Sequence, residues 1–430
     1  MRRATTGFVL FLLIAAAHSS ALAQTRRRAM LPPSDDGLTL PQWVALRAIP
    51  FDTVESRSDD SDLTALIDLV GNRKYVGVGE ATHGSHEFFA MKARMFRYLV
   101  EHKGFTVFSI EGNLPEADAI NDYVQTGNGD PVALVHGMHF WTWSVEELED
   151  LVVWMHEYNA AHPDRPQLSF RGFDMQYSQA AIAGADAYVQ RVDPQRAQSF
   201  TANLSCADVD YDVYQSLSTT AKNDCRTKVL AAYRTIESSR DAYVAASSAG
   251  EYERMLRYTK VAVQFEDLAG HTPASRDMWM AENAEWIVEV EHPGEKMMMW
   301  AHNYHIGRAG GLQMGTYFNS HFPNDHMSFG FVFDHGDFNA RDYTTRVLET
   351  KHVDPAHDNG YDVVFRMANR PYFFLDMRKA PASVLNDLYT STHARYDIGA
   401  VYPVPRVRSP IGPEWDVVIW VAVSTASHLK

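Results

Sequence analysis

Glutamate, aspartate and histidine residues follow directly after four apolar runs that predict buried strands. The runs are residues 74–79, 106–110, 168–172 and 296–301. In a parallel α/β sheet, ligands bind beyond the carboxyl ends of the strands, because the loops there converge on one crevice. We therefore expect the polar groups after these runs to meet in one site. They are Glu80 with His83, Glu111, Asp174, and the segment His302-Asn303-Tyr304-His305.

Side chains of these types suit proton transfer. A histidine beside a carboxylate is held in one tautomer, and its basicity rises. It can take a proton from a water that attacks a carbonyl group, which contributes roughly 10²–10⁴-fold to the rate. His83 is the strongest single candidate for the site, because it lies in a glycine-flanked loop where backbone can approach a ligand. The other histidines and Lys92 are available to stabilise the oxyanion. The predicted catalytic residues are His83, Glu80, Glu111, His302, His305 and Lys92.

Other mechanisms find less support in the sequence. It has no G-x-S-x-G motif for a serine nucleophile and no P-loop. His86-Glu87 begins an H-E-x-x-H pattern, but Ala90 stands where the second zinc-binding histidine belongs. No cofactor and no metal site are predicted, although Glu and His are metal-ligand types. Two alternatives stay open: a metal-dependent peptidase or amidase, and a periplasmic protein that binds haem or another ligand through His83 or His302.

An aromatic segment precedes the helix predicted from residue 146. Phe140, Trp141 and Trp143 lie there in a loop-like stretch. Such side chains can form the apolar wall of a pocket for a bulky ligand, and packing of the loop onto the core is the alternative. The predicted substrate-binding residues are Asp174, Trp141, Trp143 and Asn303.

The first 23 residues have the pattern of a secretory signal peptide. Arg2 and Arg3 form a basic start, residues 7–17 are apolar, and Ala21-Leu22-Ala23 matches a cleavage site. The apolar run is shorter than the ~20 residues that a membrane span needs, and a retained anchor is the alternative. We expect cleavage near Ala23, export to the periplasm or the medium, and a linker over residues 24–40.

The formal net charge of the chain is −15. A negative protein repels nucleic acid and anionic membranes. We therefore expect no nucleic-acid partner and no membrane association after signal cleavage. The expected partner is a neutral or cationic small molecule.

The alternation of apolar runs with helical patterns predicts a wound α/β fold with a mainly parallel or mixed sheet and flanking helices. Residues 87–102 and 146–158 are predicted helices, and further strands are predicted at 327–333, 372–375 and 417–423. Residues 178–291 are almost entirely helical in pattern, which predicts a helical insertion or cap. Cys206 and Cys225 lie in it. Export permits a disulfide between them, and two buried thiols are the alternative.

Five ordered sequence blocks resemble the erythromycin esterase family, from about residue 40 to residue 425. The blocks are Gly79-Glu80-Ala-Thr-His83-Gly84-Ser85-x-Glu87, Ile110-Glu111-Gly112, Arg171-Gly172-Phe173-Asp174, Arg276-Asp277-x-x-Met280-Ala281-x-Asn283 and Trp300-Ala301-His302-Asn303-x-His305. The resemblance implies one catalytic unit over residues 41–430, with a helical part above a deep cleft. It also implies hydrolysis of a carboxylic ester or macrocyclic lactone without a serine nucleophile.

The resemblance also assigns roles to single residues. The essential histidine of the family maps to His83, which the resemblance makes the base that activates water. The motif glutamates map to Glu80 and Glu111, and the paired histidines to His302 and His305. The family arginine nine residues after the essential histidine is replaced by Lys92 here. Lysine keeps the charge but lacks the planar fork of arginine. The export signal is a second departure, because the well-known macrolide esterases act inside the cell.

Overall fold

A computed structural model describes residues 35–56, 59–272 and 275–430. The predicted signal peptide, 1–23, lies outside the described residues, as does the linker up to residue 34. The first helix begins at Leu40, where the predicted linker ends. Across the described residues, helices that are both long and apolar enough for a bilayer span are absent.

A mixed ten-stranded sheet forms the centre of the molecule. Its main order is β1-β8-β12-β6-β2-β5-β3-β4, with β7 and β10 added at β6, and β9 and β11 form a separate pair. The run from β12 to β4 is parallel, whereas β8, β1 and β7 are antiparallel to their neighbours. The strands are β1 (Ile49–Pro50), β2 (Tyr75–Val78), β3 (Val107–Asn113), β4 (Ser169–Asp174), β5 (Met297–Trp300), β6 (His326–Asp342), β7 (Leu348–Val353), β8 (Tyr372–Asp376), β9 (Ala394–Arg395), β10 (Val401–Tyr402), β11 (Val407–Arg408) and β12 (Val417–Ser424).

Helices cover both faces of this sheet, as the sequence predicts for a wound α/β fold. The α-helices of the described chain are α1 (Leu40–Arg47), α2 (Ala65–Val70), α3 (His86–Lys103), α4 (Leu114–Thr126), α5 (Pro131–His136), α6 (Glu146–Ala161), α7 (Gln179–Val192), α8 (Pro194–Leu204), α9 (Tyr211–Gln215), α10 (Thr219–Glu237), α11 (Arg240–Ala246), α12 (Ala249–Gly270), α13 (Arg276–Trp286), α14 (Asn303–Ile306), α15 (Met314–His321), α16 (Tyr361–Arg366) and α17 (Leu385–Tyr389). A π-helical segment, Ile287–Glu291, continues α13. Short 3-10 helices occupy Ser61–Leu63, Met377–Lys379 and Ala382–Val384.

The central strands are buried on both faces, which explains why their sequences are continuous apolar runs. Successive side chains of β5 point to opposite faces of the sheet. Met298 and Trp300 pack in the core beneath α3 and α6, whereas Met297 and Met299 pack in the core shared with the helical segment. The predicted helical stretch is helical from α7 to Glu291, and Cys206 and Cys225 form the predicted disulfide within it.

Register brings the predicted site residues to one edge of the sheet. Val78 of β2 pairs with Trp300 of β5, and Trp300 pairs with Ile110 of β3. Because these strands are parallel, the residues after them emerge together at the same edge. Glu80 and His302 therefore lie two residues beyond this aligned row. Glu111 lies one residue beyond it.

Candidate active site

Glu80 is the buried anchor of the site. Its Oε1 lies 2.5 Å from Nδ1 of His83, and its Oε2 accepts hydrogen bonds from the indole N–H of Trp300 at 2.6 Å and from Lys92. Burial by itself raises the pKa of Glu80, but Lys92 and His83 outweigh it and hold the pKa below its usual value. Glu80 is therefore a carboxylate at neutral pH, with both oxygens engaged.

Lys92 lies behind Glu80 on α3. Its ammonium group is fully buried, pairs with Glu80, and sits 4.4 Å from the centre of the Trp300 ring. Burial lowers the pKa of Lys92 to about 8, and Glu80 opposes that shift. The expectation that Lys92 contacts the oxyanion is corrected here, because the side chain points into the core and not into the cleft. Lys92 acts on the site through Glu80.

His83 connects this buried pair to an open cleft. The hydrogen bond between Nδ1 and the Glu80 carboxylate places a proton on Nδ1, because an ionised carboxylate can only accept. The lone pair of the neutral ring is then on Nε2. The backbone N–H of His83 donates to the carbonyl of Gly399 at 3.2 Å, which fixes the loop. His83 lines a cleft of about 220 Å³ together with Glu111 and Arg276.

Glu111 and His305 form a second charged pair beside the cleft. The Oε1 of Glu111 lies 3.2 Å from Nε2 of His305, and the other imidazole nitrogen lies 2.8 Å from Oδ1 of Asp277. Burial lowers the pKa of His305, but Glu111 and Asp277 outweigh it and raise the pKa to about 9. Burial raises the pKa of Glu111, and His305 with Arg276 brings it well below its usual range. His305 is thus an imidazolium between two carboxylates.

Arg276 is held over this pair by carboxylates. Its Nη2 donates to Glu111 at 2.8 Å and to Asp174 at 2.7 Å, and its Nε donates to Asp174 at 3.2 Å. Its Nη1 also lies 3.2 Å from Nε2 of His305. Because a guanidinium only donates, this is a contact between two cations and not a hydrogen bond once His305 is protonated. Asp174, a predicted substrate-binding residue, is instead fully buried behind the cleft lining. It orients Arg276 and also accepts hydrogen bonds from Met175 and Gln176.

His302 is the neutral member of the histidine group. Its Nδ1 accepts a hydrogen bond from the backbone N–H of Tyr304 at 3.3 Å, which places the ring proton on Nε2. Burial lowers the pKa of His302 to about 4, and Asp397 opposes that shift. The Nε2 atom is 3.2 Å from Oδ1 of Asp397, but it makes no aligned hydrogen bond among the described residues. The ring centroid of His302 lies 5.2 Å from that of His83.

Two tryptophans predicted to bind substrate line the cleft. Trp143 is buried, and its ring centroid lies 6.4 Å from that of His83. Its indole N–H finds no acceptor within the part of the chain that the structure describes. Trp141 is partly exposed beside it. The lining residues are His83, Glu111, Phe140, Trp141, Thr142, Trp143, Gln176, Arg276 and Ala400.

Asn303 has a different position from the one expected of a substrate contact. It is fully buried, and both ends of its amide bind the backbone of Phe331, at 2.8 Å and 3.0 Å. These bonds fasten the start of α14 to β6. The side chain therefore supports the site from the core and does not reach the cleft.

Arg276 and Asp277 were not assigned to the site from sequence, although they stand next to each other in one of the quoted blocks. Their place in a block that carries the resemblance was the available signal. Asp397 and Ala400 had no such signal. Their loop is joined to the His83 loop by backbone hydrogen bonds, including the one from His83 to Gly399, and Asp397 contacts His302.

Comparison with known families decides where the chain belongs. The model of the family described as erythromycin esterase matches residues 100–424, about three quarters of the chain. The chain belongs to the erythromycin esterase family. Glu111, Asp174, Arg276, His302 and His305 lie within the matched range. Glu80, His83 and Lys92 precede it and join the other site residues through the fold.

Two relatives of known sequence are distant from this chain. YbfO of Bacillus subtilis (strain 168) is 22% identical over 90% of this chain and 91% of YbfO. Erythromycin esterase type II of Escherichia coli is 24% identical over 67% of this chain and 76% of that protein. Because the family is one of hydrolases, the chain is a hydrolase of the erythromycin esterase family.

Solved structures share the fold. A Bacillus cereus protein superposes with a TM-score of 0.83 at 23% identity, over 91% of this chain and 98% of that one. A mutant of the erythromycin esterase EreC in its open conformation gives a TM-score of 0.69 at 15% identity, over 89% of this chain and 99% of the other. These likenesses confirm the α/β architecture of the erythromycin esterase family member described above.

Proposed function

We propose that the protein hydrolyses a carboxylic ester or macrocyclic lactone with a water that His83 activates. The observation that carries this proposal is the hydrogen bond from Nδ1 of His83 to Glu80. It orients the ring and leaves Nε2 as the acceptor beside the cleft. A base held by a buried carboxylate is the arrangement that general base catalysis needs.

The proposed reaction balances without a covalent intermediate. Nε2 of His83 removes a proton from water as the water oxygen bonds to the carbonyl carbon. The negative charge moves to the carbonyl oxygen, where Arg276 is the cation that lines the cleft. When the bond from carbon to the ester oxygen breaks, the His83 imidazolium returns the proton to the departing alkoxide. Glu80 stays ionised throughout and stabilises the imidazolium.

Cleft size and relatives support an ester or lactone as the substrate. The cleft of about 220 Å³ is smaller than the ~300–1,000 Å³ of pockets that enclose a drug-sized ligand. It therefore fits the reacting ester group, while the rest of a large substrate extends along Trp141 and beyond. One relative is named erythromycin esterase type II, which supports the ester bond.

The test is a panel of esters and lactones, including macrolides, incubated with the purified protein. Mass spectrometry should detect a product heavier than the substrate by one water for a lactone, or an acid and an alcohol for an open ester. A His83→Ala variant is the control and should be inactive. Cleavage confined to amides and dependent on added metal would contradict the proposal and support a peptidase. A haem absorption band with no turnover would support the binding-protein alternative.

A further inference from the structure

A second group of potential ligands lies outside the catalytic cleft. His86 begins α3, Glu147 lies in the first turn of α6, and His428 lies near the carboxyl end of the chain. One ligand atom from each side chain lies within 4.8 Å of the other two. Nδ1 of His86 is 2.7 Å from Oε1 of Glu147, and Nδ1 of His428 is 3.7 Å from the same oxygen.

The geometry of these three groups is close to that of a metal site. Ligands around a tetrahedral zinc ion stand about 3.4 Å apart, since each metal–ligand bond is about 2.1 Å long. The distance from Glu147 to His86 is shorter than this and the distance to His428 is longer. Binding therefore requires a shift of the half-exposed His428 side chain and of the Glu147 carboxylate, which also accepts the backbone N–H of His428 at 3.1 Å. Two imidazoles with one carboxylate suit zinc, whereas magnesium and calcium prefer oxygen ligands alone.

Glu55 supplies an independent observation. Its Oε1 lies 2.7 Å from Nε2 of His86, the ring nitrogen that faces away from Glu147. A histidine bound to a metal commonly donates its other N–H to a carboxylate in this way, which fixes the ring and raises its basicity. Glu55 is therefore placed where a supporting carboxylate of a zinc-bound His86 belongs.

The surroundings favour a cation. The cluster opens on a cavity of about 530 Å³ that is separate from the catalytic cleft. Among the described residues, five carboxylates and one guanidinium line it, together with His86 and His428. The charged side chains are Glu55, Glu146, Glu147, Asp150, Glu157 and Arg97. This excess of negative charge raises the local concentration of cations.

The cluster brings together the start of α3, the start of α6 and the carboxyl-terminal segment. The backbone N–H of His86 donates to the carbonyl of Thr425 at 2.9 Å, and the N–H of Glu146 donates to the carbonyl of His428 at 2.9 Å. His86 comes three residues after His83. Glu147 comes four residues after Trp143. The carboxyl-terminal segment thus lies between the loop of the base and the loop of the aromatic wall.

We propose that His86, Glu147 and His428 bind one zinc ion, which fastens the carboxyl-terminal segment to the starts of α3 and α6. This site is separate from the hydrolytic chemistry, so its failure would leave the proposed function untouched.

The experiment is titration of the full chain with Zn²⁺ by isothermal calorimetry, after treatment with a chelator and desalting. One Zn²⁺ should bind per chain, and the melting temperature should rise until that ratio is reached. His428→Gln should abolish binding, and because His428 is half exposed, the variant should fold. Glu55→Gln should weaken binding by roughly 10–100-fold, the usual effect of losing a supporting carboxylate.

His352→Gln is the matched control. The His352 side chain is 54% exposed, against 55% for His428, and it also contacts carboxylates. This variant should bind Zn²⁺ like the wild type, and Mg²⁺ should leave the melting temperature of every protein unchanged. Absence of Zn²⁺ binding by the wild type would overturn the proposal, because the cluster would then be a set of salt bridges. Equal binding by His428→Gln would overturn it as well.

Discussion

At the scale of single residues, the site depends on how burial and charge set the proton on each histidine. His302 and His305 are three residues apart, yet burial lowers the pKa of one to about 4, and two carboxylates raise that of the other to about 9. Because the His302 ring is neutral, it places no positive charge beside His83, the proposed base. The imidazolium of His305 shares the charge of Glu111 with Arg276, whose guanidinium also pairs with Asp174.

His305 gives a prediction about stability and pH. Its folded pKa, about 9, lies above the usual value of 6.5. The imidazolium therefore stabilises the fold fully below pH 6.5, and this contribution is lost as pH rises through 9. The wild type should lose up to roughly 3 kcal/mol more unfolding free energy over that interval than His305→Gln. Urea unfolding at a series of pH values measures the difference, and parallel pH curves for both proteins would refute the assignment.

Lys92 gives a second prediction at this scale. Lys92→Met keeps most of the side-chain volume but leaves the Glu80 carboxylate buried without its ammonium partner. Unfolding free energy should fall by about 3 kcal/mol or more, as when one member of a buried ion pair is removed. Lys228→Met removes a surface ion pair with Asp224 and should change stability by only about 0.5 kcal/mol. Similar losses in the two variants would show that Lys92 is not the structural partner of Glu80.

At the scale of elements, the loop from β2 to α3 has almost no room to move. A side chain at Gly84 would overlap the backbone of Asn339 in β6, including its carbonyl oxygen. The same loop is tied to Asn339 by a backbone hydrogen bond of 2.9 Å. Because Gly84 has no side chain, the backbone of the His83 loop can pack directly against the backbone of β6.

Gly84→Ala should therefore lower both stability and turnover. The added methyl group has only backbone to displace, so overpacking should cost about 1–3 kcal/mol and shift His83 away from Glu80. Gly250→Ala is the control, because a methyl group there meets open space at the start of α12. Thermal melts and kcat of both variants provide the measurement. A Gly84→Ala protein with normal kcat would mean that the loop position is not critical for the base.

At the scale of the whole molecule, the sequence predicts the convergence of the site because parallel strands align their carboxyl ends. The residues at which strands end are harder to predict from the sequence. The run at 327–333 continues to Asp342 in the structure, because β6 pairs with β7 and β10 beyond the apolar stretch. The contribution of Asp397 and Gly399 could not be predicted, since it depends on how a distant loop folds back. The placement of Glu111 and Asp277 beside His305, which separates its protonation state from that of the equally buried His302, is likewise a property of the packed molecule.

Export is the prediction that concerns the chain as a whole. The apolar run at 7–17 and the Ala21-Leu22-Ala23 site predict that the mature protein begins at Gln24. N-terminal sequencing of the protein from the periplasm or medium of the producing cell is the measurement. A chain that retains Met1 in the cytoplasm would contradict the prediction and leave the hydrolytic assignment unaffected.

The central claim is that His83, oriented by Glu80, is the base that activates water. Its most direct test is kcat of His83→Gln on the best substrate of the ester and lactone panel, with folding checked by circular dichroism. Glutamine keeps polarity and much of the volume but cannot accept the proton of water. We predict a fall in kcat of at least about 10²-fold, the lower end for loss of a general base. A folded His83→Gln enzyme with kcat near that of the wild type would contradict the account.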